Sequence, residues 1–222
     1  MLYQLKKFYR TLKQDFNLLL SRPEAKINEE ANKNYWETRR KNYSHGLNDY
    51  QKFRVDFIKN CVPKEALILD LGTGTGDQVI ELKKLGYRLV CSDFSDEARN
   101  IIEANGLKFI KCDLSDKADF KLCSKYDVVI ACEVLEHIQN PEKVVQSFLR
   151  SQAGMFIFSV PNSGYFIYRL RLLFGSFPVQ WRVHPGEHVR YWTLKDMRWW
   201  LKNFDAHNYA FEICCYEGWP IL

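Results

Sequence analysis

The sequence predicts an α/β fold with a doubly wound, mostly parallel sheet behind an N-terminal helical extension. Two observations predict it. From residue 66 onward, short apolar runs alternate with helical stretches, and the first run leads directly into a glycine turn and a helix. Strands that alternate with helices form parallel sheets covered on both faces. Right-handed crossovers bring the loops after the strands to one edge, where ligands bind at the reversal of strand order.

Residues 2–20 are the first predicted element, a basic amphipathic helix. Apolar residues recur at helical spacing, and four basic residues lie between them: Lys6, Lys7, Arg10 and Lys13. Such a stripe either packs on its own domain or contacts a membrane surface or another protein, and the sequence leaves both alternatives open. Residues 24–60 also have a helical pattern, so 1–60 are assigned to a helical extension or lid and 61–222 to the main domain.

The main domain repeats the strand and helix pattern. Strands are predicted at 66–71, 88–93, 108–112, 127–132, 155–160 and 209–216, and helices at 77–85, 96–105, 141–151 and 194–203. Residues 163–192 are too long for a simple connection, so they are predicted to form an insertion over the active site.

Composition narrows the functional class. The chain has 222 residues, of which 46% are apolar and 27% charged, a globular balance without an apolar run long enough to cross a bilayer. None of the seven cysteines forms a C-x-x-C pair, and charges interrupt the first twenty residues, so a cytoplasmic protein is expected. Residues 1–60 carry 13 basic against 7 acidic residues, and the remainder 19 against 20. Because the main domain is near neutral, no nucleic-acid partner is expected.

The glycine turn is the strongest local signal. Gly72, Gly74 and Gly76 give the spacing G-x-G-x-G, and Asp77 stands where a dinucleotide-binding turn has its third glycine. This spacing argues against a nicotinamide-dependent dehydrogenase. A carboxylate in the first helical turn also repels phosphate. The turn therefore favours a nucleoside without phosphate and with a zwitterionic tail, and S-adenosylmethionine has this structure.

Acidic residues follow the next strands at the same predicted edge. Asp93 ends the second strand, about twenty residues past the turn, where a carboxylate can accept both ribose hydroxyls. Asp113 follows the third strand and can accept the adenine amino group, and Glu133 follows the fourth. A single acid at a strand end is often a helix cap, but three in series favour a ligand site.

These stretches resemble the class I S-adenosylmethionine-dependent methyltransferases over residues 35–216. The matching stretches are ILDLGTGTGD, LVCSDFS, FIKCDLSD and YDVVIACEVLEHI. EVLEHI, FSVPN and EHVRYWTLKDM are similar to the small-molecule O-methyltransferase branch, which includes ubiquinone-pathway and sugar-modifying enzymes. SVPNSGYFIYRLRLLFGSFPV is also similar to MetW-type proteins. The resemblance implies a Rossmann-like fold and S-adenosylmethionine as cofactor.

The resemblance also implies the cofactor contacts. They are Asp70, Gly72, Thr73, Gly74 and Gly76 around the methionine tail, Asp93 and Phe94 at the ribose and adenine, Asp113 and Leu114 at the adenine, and Glu133 facing the cofactor. Tyr35, Trp36 and Arg54 lie in a helical region that often covers the cofactor, but no motif there assigns their roles.

A hydroxyl acceptor needs a base with a pKa near neutral, which makes histidine the first candidate. The catalytic candidates are His137 and His188, together with Glu136; His184 lies in the same insertion as His188. The alternatives are a helix-start histidine bonded to backbone at His137 and an exposed loop residue at His188.

Whether a metal takes part stays open. Glu133, Glu136, His137 and His188 resemble the Glu-x-x-Glu-His and distant His of the small-RNA 3′-terminal 2′-O-methyltransferases. Two carboxylates and two imidazoles suit Mg, Mn or Fe-type ions, which lower the pKa of a bound hydroxyl. The same motif also occurs in relatives without a known metal.

The expected reaction is O-methylation of a small molecule. Arginines of the insertion (Arg169, Arg171, Arg182 and Arg190) either clamp an acceptor phosphate or carboxylate or are solvated. The leading acceptor is a sugar or polysaccharide precursor, and the alternatives are a quinone or lipid precursor and a non-catalytic, partner-binding MetW-like module. Residues 2–20 are the candidate contact with a membrane or a protein.

Overall fold

A computed structural model provides the structure of the chain. It describes residues 2–21, 46–114, 120–151, 153–178, 187–204 and 209–215. The chain forms two compact units. The sheet unit is Asn28–Val160, and the helical unit joins Met1–Ile27 to Pro161–Leu222. This division differs from the boundary predicted at residue 60, because the helix Asp49–Cys61 crosses that boundary and belongs to the sheet unit.

The sheet unit confirms the predicted doubly wound α/β fold. Its five parallel strands have the order β3-β2-β1-β4-β5. They are β1 Leu67–Leu71, β2 Arg88–Asp93, β3 Lys108–Lys111, β4 Val128–Cys132 and β5 Met155–Ser159. Strand order reverses between β1 and β4, so the carboxyl edge beside these two strands is the expected ligand position.

In the described part of the sheet unit, four helices and two short 3-10 turns flank this sheet. The helices are α2 Asp49–Cys61, α3 Asp77–Lys84, α4 Asp96–Ala104 and α5 Pro141–Arg150, and the turns are Phe120–Lys125 and Leu135–His137. The core between sheet and helices consists of fully buried aliphatic side chains, among them Ile58, Ile68, Leu82, Ile102 and Ile130.

Local sequence decides where these helices begin. The Asn48 side chain accepts a hydrogen bond from the Gln51 amide, and the Gln51 side chain accepts one from the Asn48 amide, both at 2.9 Å. Ser95 accepts from the Ala98 amide in the same way, and Pro141 opens α5. Asn48 and Ser95 accept hydrogen bonds from amides that have no partner within the helix, and Pro141 has no amide hydrogen that needs one.

The helical unit contains α1 Leu2–Leu20, α6 Phe166–Leu173 and α7 Leu194–Leu201. The bounds of α1 are those predicted from the sequence. An isolated bridge joins Asn162 to Trp192, and the Trp192 and Trp200 rings pack 5.3 Å apart between centroids. None of the helices in the described ranges is long and apolar enough to span a membrane.

One strand prediction is wrong. Residues 209–215 of the predicted strand 209–216 form no strand, and most of their side chains are exposed. Alternating apolar residues indicate a strand only where a neighbouring strand can pair with the backbone, and within the described chain the sheet ends at β5. Tyr35, Trp36, Arg182 and His184 lie outside the described residues.

Candidate active site

The carboxyl edge of the sheet brings together the residues that the sequence placed after separate strands. Asp70 lies in β1 and pairs in register with Cys91 of β2 and Ile130 of β4. The glycine turn, Asp93 and Glu133 follow at the ends of these three neighbouring strands. Parallel strand direction alone produces this grouping.

Two glycines of the turn serve different purposes. Gly72 has a φ of +70°, and a Cβ built on it would lie 2.6 Å from Cγ2 of Val134, so a larger residue would clash. Gly74 has a φ of +61°, but the nearest atom to its Cβ position is the Gly72 carbonyl oxygen at 3.9 Å. The main chain at Gly74 therefore borders open space, where a ligand can approach the backbone.

Asp70 is a buried carboxyl held by the turn that follows it. Thr73 Oγ1 donates a hydrogen bond to Asp70 Oδ2 at 2.7 Å. Burial raises the pKa of Asp70 to about 7, and the negative charge of Asp93 also raises it. The Thr73 hydrogen bond and the positive charge of Arg54 lower this pKa but do not offset burial. A cation placed beside Asp70 would favour its ionised form.

Asp93 braces the glycine turn. Its Oδ2 accepts a hydrogen bond from the Gly74 amide at 2.9 Å, and its Oδ1 accepts one from the Ser95 amide at 3.0 Å. A carboxylate can accept about four hydrogen bonds, so ribose hydroxyls can join these two amides. The structure adds this bracing role, and the predicted ribose contact stays a prediction.

Asp77 occupies the first turn of α3 with a buried carboxylate. Thr75 Oγ1 donates to Asp77 Oδ2 at 2.7 Å, and the Gly46 amide donates to Asp77 Oδ1 at 3.0 Å. The helix start therefore already carries a negative charge that is fixed in place. This arrangement supports the argument that the turn disfavours phosphate.

Glu133 has a strained backbone and a charged contact. Its φ is +55°, and no other non-glycine residue in the described ranges has a positive φ. Ser159 Oγ donates to Glu133 Oε1 at 2.7 Å, and Arg54 Nη1 lies 3.3 Å from the same oxygen. Such a backbone costs about 1–3 kcal/mol and is concentrated at functional sites, where surrounding contacts hold it.

Sequence reasoning missed the residues that hold Glu133. Arg54 also donates through Nε to Gln78 Oε1 at 3.0 Å, and Gln78 Nε2 contacts Cys132 Sγ at 3.7 Å. No sequence motif assigns a role to Arg54, and Gln78 belongs to none of the stretches that identify the site. Ser159 is a polar residue at the end of β5, within FSVPN. A polar residue at the end of a strand is also the signal that identifies Asp93 on β2, so the same signal could have found Ser159.

Glu136 and His137 lie side by side after β4. Glu136 is 1% exposed, and neither carboxyl oxygen has a hydrogen-bond partner among the described residues. Burial raises the pKa of Glu136 well above its usual range, and the nearby charge of Glu133 adds to this. His137 Nε2 lies 3.8 Å from Glu136 Oε1, and the His137 amide donates to the Val134 carbonyl at 3.0 Å. An imidazole beside a buried carboxyl is a suitable acid or base.

The remaining predicted site residues in the described ranges are Phe94, Asp113, Leu114 and His188. Phe94 is half-buried after β2, and Asp113 is exposed two residues after β3, next to the half-buried Leu114. His188 belongs to the helical unit, where it is buried with its ring centroid 6.3 Å from that of Tyr191. Its grouping with Glu133, Glu136 and His137, in catalysis or around a metal, stays a prediction.

At Arg171 the structure shows neither of the two alternatives left open for the arginines of the insertion, an acceptor clamp or a solvated side chain. Arg171 is buried, and its guanidinium donates to the carbonyl oxygens of Leu18, Leu19, Ser21 and Phe177 at 2.6–2.9 Å. These carbonyls engage Nε and Nη1 of a side chain that is 4% exposed, which does not favour a contact with an acceptor phosphate or carboxylate. Arg171 is therefore a structural residue of the helical unit.

The sequence of the chain is similar to those of known proteins. The family described as "Methyltransferase domain" matches residues 35–210. The ubiquinone biosynthesis O-methyltransferase of Colwellia psychrerythraea is 31% identical over 114 residues, 48% of this chain and 46% of that protein. The ribosomal protein L11 methyltransferase of Thermoanaerobacter pseudethanolicus is 28% identical over 120 residues, 51% of this chain and 38% of that protein. The chain thus spans about half the length of these curated relatives, or less.

Solved structures agree at the level of the fold. A SAM-dependent methyltransferase from Anabaena variabilis superposes with a TM-score of 0.54 and 18% identity, over 82% of this chain and 84% of that chain. Identity this low indicates a shared fold, whereas function depends on the residues at the site.

Proposed function

Because this chain belongs to the family of methyltransferase domains, we propose that it transfers the methyl group of S-adenosylmethionine to an oxygen atom of a small molecule. The family match covers most of the sheet unit and confirms the predicted enzyme class. It also supports S-adenosylmethionine as the methyl donor. The acceptor and the residue roles below are proposals.

The observation that carries the proposal is the arrangement of Asp70, the glycine turn and Asp93. Open space at Gly74 lets a ligand reach the main chain, and the fixed carboxylate of Asp77 disfavours a phosphate. In the proposal Asp70 faces the ammonium group of the methionine tail, and Asp93 accepts the ribose hydroxyls. Both oxygens of Asp93 are already oriented by backbone amides, so ribose binding needs little reorganisation of this side chain.

The methyl donor supplies an electrophilic carbon when it is bound, and the chain must place an oxygen in line with it. The acceptor oxygen forms a bond to the methyl carbon while the carbon–sulfur bond breaks and its electron pair stays on sulfur, giving S-adenosylhomocysteine. We assign removal of the hydroxyl proton to His137, whose Nε2 lies 3.8 Å from the buried Glu136 carboxyl.

Transfer to oxygen is supported by one named relative. The Colwellia protein is an O-methyltransferase, and its match covers 48% of this chain. A sugar or polysaccharide precursor remains the first acceptor to test and a quinone or lipid precursor the second. Because the Arg171 guanidinium donates to backbone carbonyls of the helical unit, this residue does not support an acceptor with a phosphate group.

Calorimetry with S-adenosylmethionine and S-adenosylhomocysteine tests the cofactor assignment. Asp93→Asn keeps the size of the side chain but removes its charge, so we expect at least a tenfold weaker binding, about 1.4 kcal/mol. The matched control is Asp127→Asn, because Asp127 Oδ2 also accepts a backbone amide, that of Leu67 at 2.8 Å, but beside the amino ends of β1 and β4. We expect this control to bind like the wild type.

Two outcomes would contradict the proposal. The first is wild-type protein that does not bind either compound at millimolar concentration. The second is an Asp93→Asn variant that binds as tightly as the control. Release of S-adenosylhomocysteine with a panel of hydroxyl acceptors then tests turnover. Tight binding without turnover on any acceptor would favour the non-catalytic, MetW-like alternative.

A further inference from the structure

The helical unit exposes a set of large apolar side chains. We call this set the docking patch; its members are Leu12, Phe16 and Leu20 of α1 and Leu172, Leu173, Phe174 and Phe177 at and after the end of α6. Phe16 is 63% exposed, Phe174 72% and Leu173 76%. Single exposed apolar residues are ordinary, but several on one pair of helices indicate an interaction surface.

The patch follows helical periodicity, so it belongs to defined helix faces. Leu12, Phe16 and Leu20 are four residues apart and share one face of α1. The α1 side chain between them that is buried, Asp15, accepts a hydrogen bond from Tyr165 Oη at 2.9 Å. Between residues 11 and 20 of α1 the buried side chain is therefore a polar one, whereas Leu12, Phe16 and Leu20 are exposed.

Arg171 holds the two helices together. Its Nη1 donates to the carbonyl oxygens of Leu18, Leu19 and Ser21, and its Nε donates to that of Phe177. A guanidinium at a helix carboxyl end satisfies carbonyls that have no partner within the helix and complements the helix dipole. The end of α1 and the segment after α6 are thereby held by hydrogen bonds to one side chain.

The sequence of these two helices has a basic excess that favours an anionic partner. Residues 2–20 contain four basic residues and one acidic residue, Asp15, which is bonded to Tyr165. The α6 sequence, FIYRLRLL, contains two arginines and no acidic residue, and its Arg169 side chain is exposed. Apolar side chains next to an excess of basic residues are the composition of helices that lie in the plane of an anionic membrane surface.

We propose that the docking patch binds the surface of an anionic lipid bilayer. The leucine and phenylalanine side chains enter the boundary between headgroups and acyl chains, and Lys13 and Arg169 approach lipid phosphates. Binding of this kind strengthens with apolar area and with negative surface charge, and it weakens as salt screens the charges. The proposal concerns the helical unit alone and stands or fails independently of the methyl-transfer chemistry.

Vesicle flotation of the full chain tests the proposal, with vesicles of phosphatidylcholine alone or with 30% phosphatidylglycerol. We expect binding to the anionic vesicles, at least tenfold weaker binding to the neutral ones, and loss of binding with rising salt. Phe16→Gln with Leu173→Gln should lower binding to anionic vesicles at least tenfold. Glutamine keeps the helix propensity of these exposed positions. Lys13→Gln and Arg169→Gln should each lower it about fivefold.

The matched control is Tyr50→Gln, which removes an aromatic side chain 57% exposed on α2 of the sheet unit. We expect it to bind vesicles like the wild type, and circular dichroism verifies folding of each variant. Absence of wild-type binding to anionic vesicles at low salt would overturn the proposal, as would unchanged binding of the double glutamine variant. Sedimentation velocity adds a third such outcome: a wild-type dimer that the double variant dissociates would identify the patch as an interface between copies of the chain.

Discussion

At the scale of single residues, burial and hydrogen bonding have opposite effects on the pKa of Asp70. Burial raises its pKa to about 7, although Thr73 donates a hydrogen bond to it and Arg54 contributes a positive charge. A carboxyl with this pKa is half-protonated near neutral pH. The residue can therefore change charge when a cationic ligand approaches, which a surface aspartate does not do under the same conditions.

This gives a prediction for stability against pH. Between the ordinary carboxyl pKa and about 7, the folded state binds more protons at Asp70 than the unfolded state. The free energy of unfolding should therefore fall as pH rises through that window and level off above it. Asp70→Asn cannot ionise, so urea denaturation at pH 5 and pH 8 should give a smaller fall for this variant than for the wild type.

The control for Asp70→Asn is Asp56→Asn, an exposed residue of α2 that pairs with Lys59 at 3.0 Å. It should keep the wild-type pH dependence, because an exposed ion pair contributes little. An Asp70→Asn variant with the wild-type slope would contradict the assignment of this titration to Asp70.

At the scale of elements, single side chains join segments far apart in sequence. Arg54 connects α2 to Glu133 after β4, and Ser159 at the end of β5 reaches the same carboxylate. Arg171 does the same for α1 and α6. Loss of Arg54 or Ser159 would leave Glu133 Oε1 with one of its two partners, whereas loss of Arg171 would remove the guanidinium donor from several carbonyls at once.

Arg171→Leu tests this at α1. The variant loses four hydrogen bonds, and of the α1-end carbonyls Leu18 keeps its bond from Ser21 Oγ while Leu19 and Ser21 lose the guanidinium, so we expect about 2–4 kcal/mol of destabilisation of the helical unit. Hydrogen exchange of the α1 amides should become faster, which mass spectrometry of peptides from residues 2–21 measures. Arg169→Leu on the same helix removes an exposed arginine and should leave exchange unchanged. Equal exchange in both variants would show that Arg171 does not hold α1.

At the scale of the whole molecule, charge and ligand binding distinguish the candidate functions. The basic excess lies in residues 1–60, while the remaining residues have 19 basic and 20 acidic side chains. A nucleic-acid enzyme needs a basic surface around its site, which this distribution does not favour. The carboxylates of Asp70, Asp77 and Asp93 at the glycine turn favour a cationic ligand over an anionic one.

Thermal denaturation gives the corresponding prediction. S-adenosylhomocysteine at about 100 times its Kd should add about 2.7 kcal/mol to stability and raise Tm by roughly 5 °C or more. ADP carries the same adenosine with a diphosphate, which Asp77 should repel, so it should produce no measurable change in Tm. A larger increase with ADP than with S-adenosylhomocysteine would reverse the assignment of the turn.

The sequence by itself determined the sheet and the position of its ligand edge. Apolar runs of five or six residues predicted β1 to β5 to within one residue at each end, because buried parallel strands need such runs. Asp70, Asp93 and Glu133 could be placed beside one another because parallel strands end at the same edge. The bounds of α1 followed from its apolar periodicity.

Only the tertiary structure decided which side chains meet at those positions. The contacts that form the sites join residues separated by 19 to 153 positions. They are the contacts of Arg54 with Glu133 and Gln78, the hydrogen bond from the Gly74 amide to Asp93, and the hydrogen bonds of the buried Arg171 to the end of α1. Residues 209–215 show the same limit, since their alternating pattern predicted a strand that has no pairing in the described sheet. Periodicity records which face of an element is apolar, whereas hydrogen bonds between distant segments depend on how those segments pack.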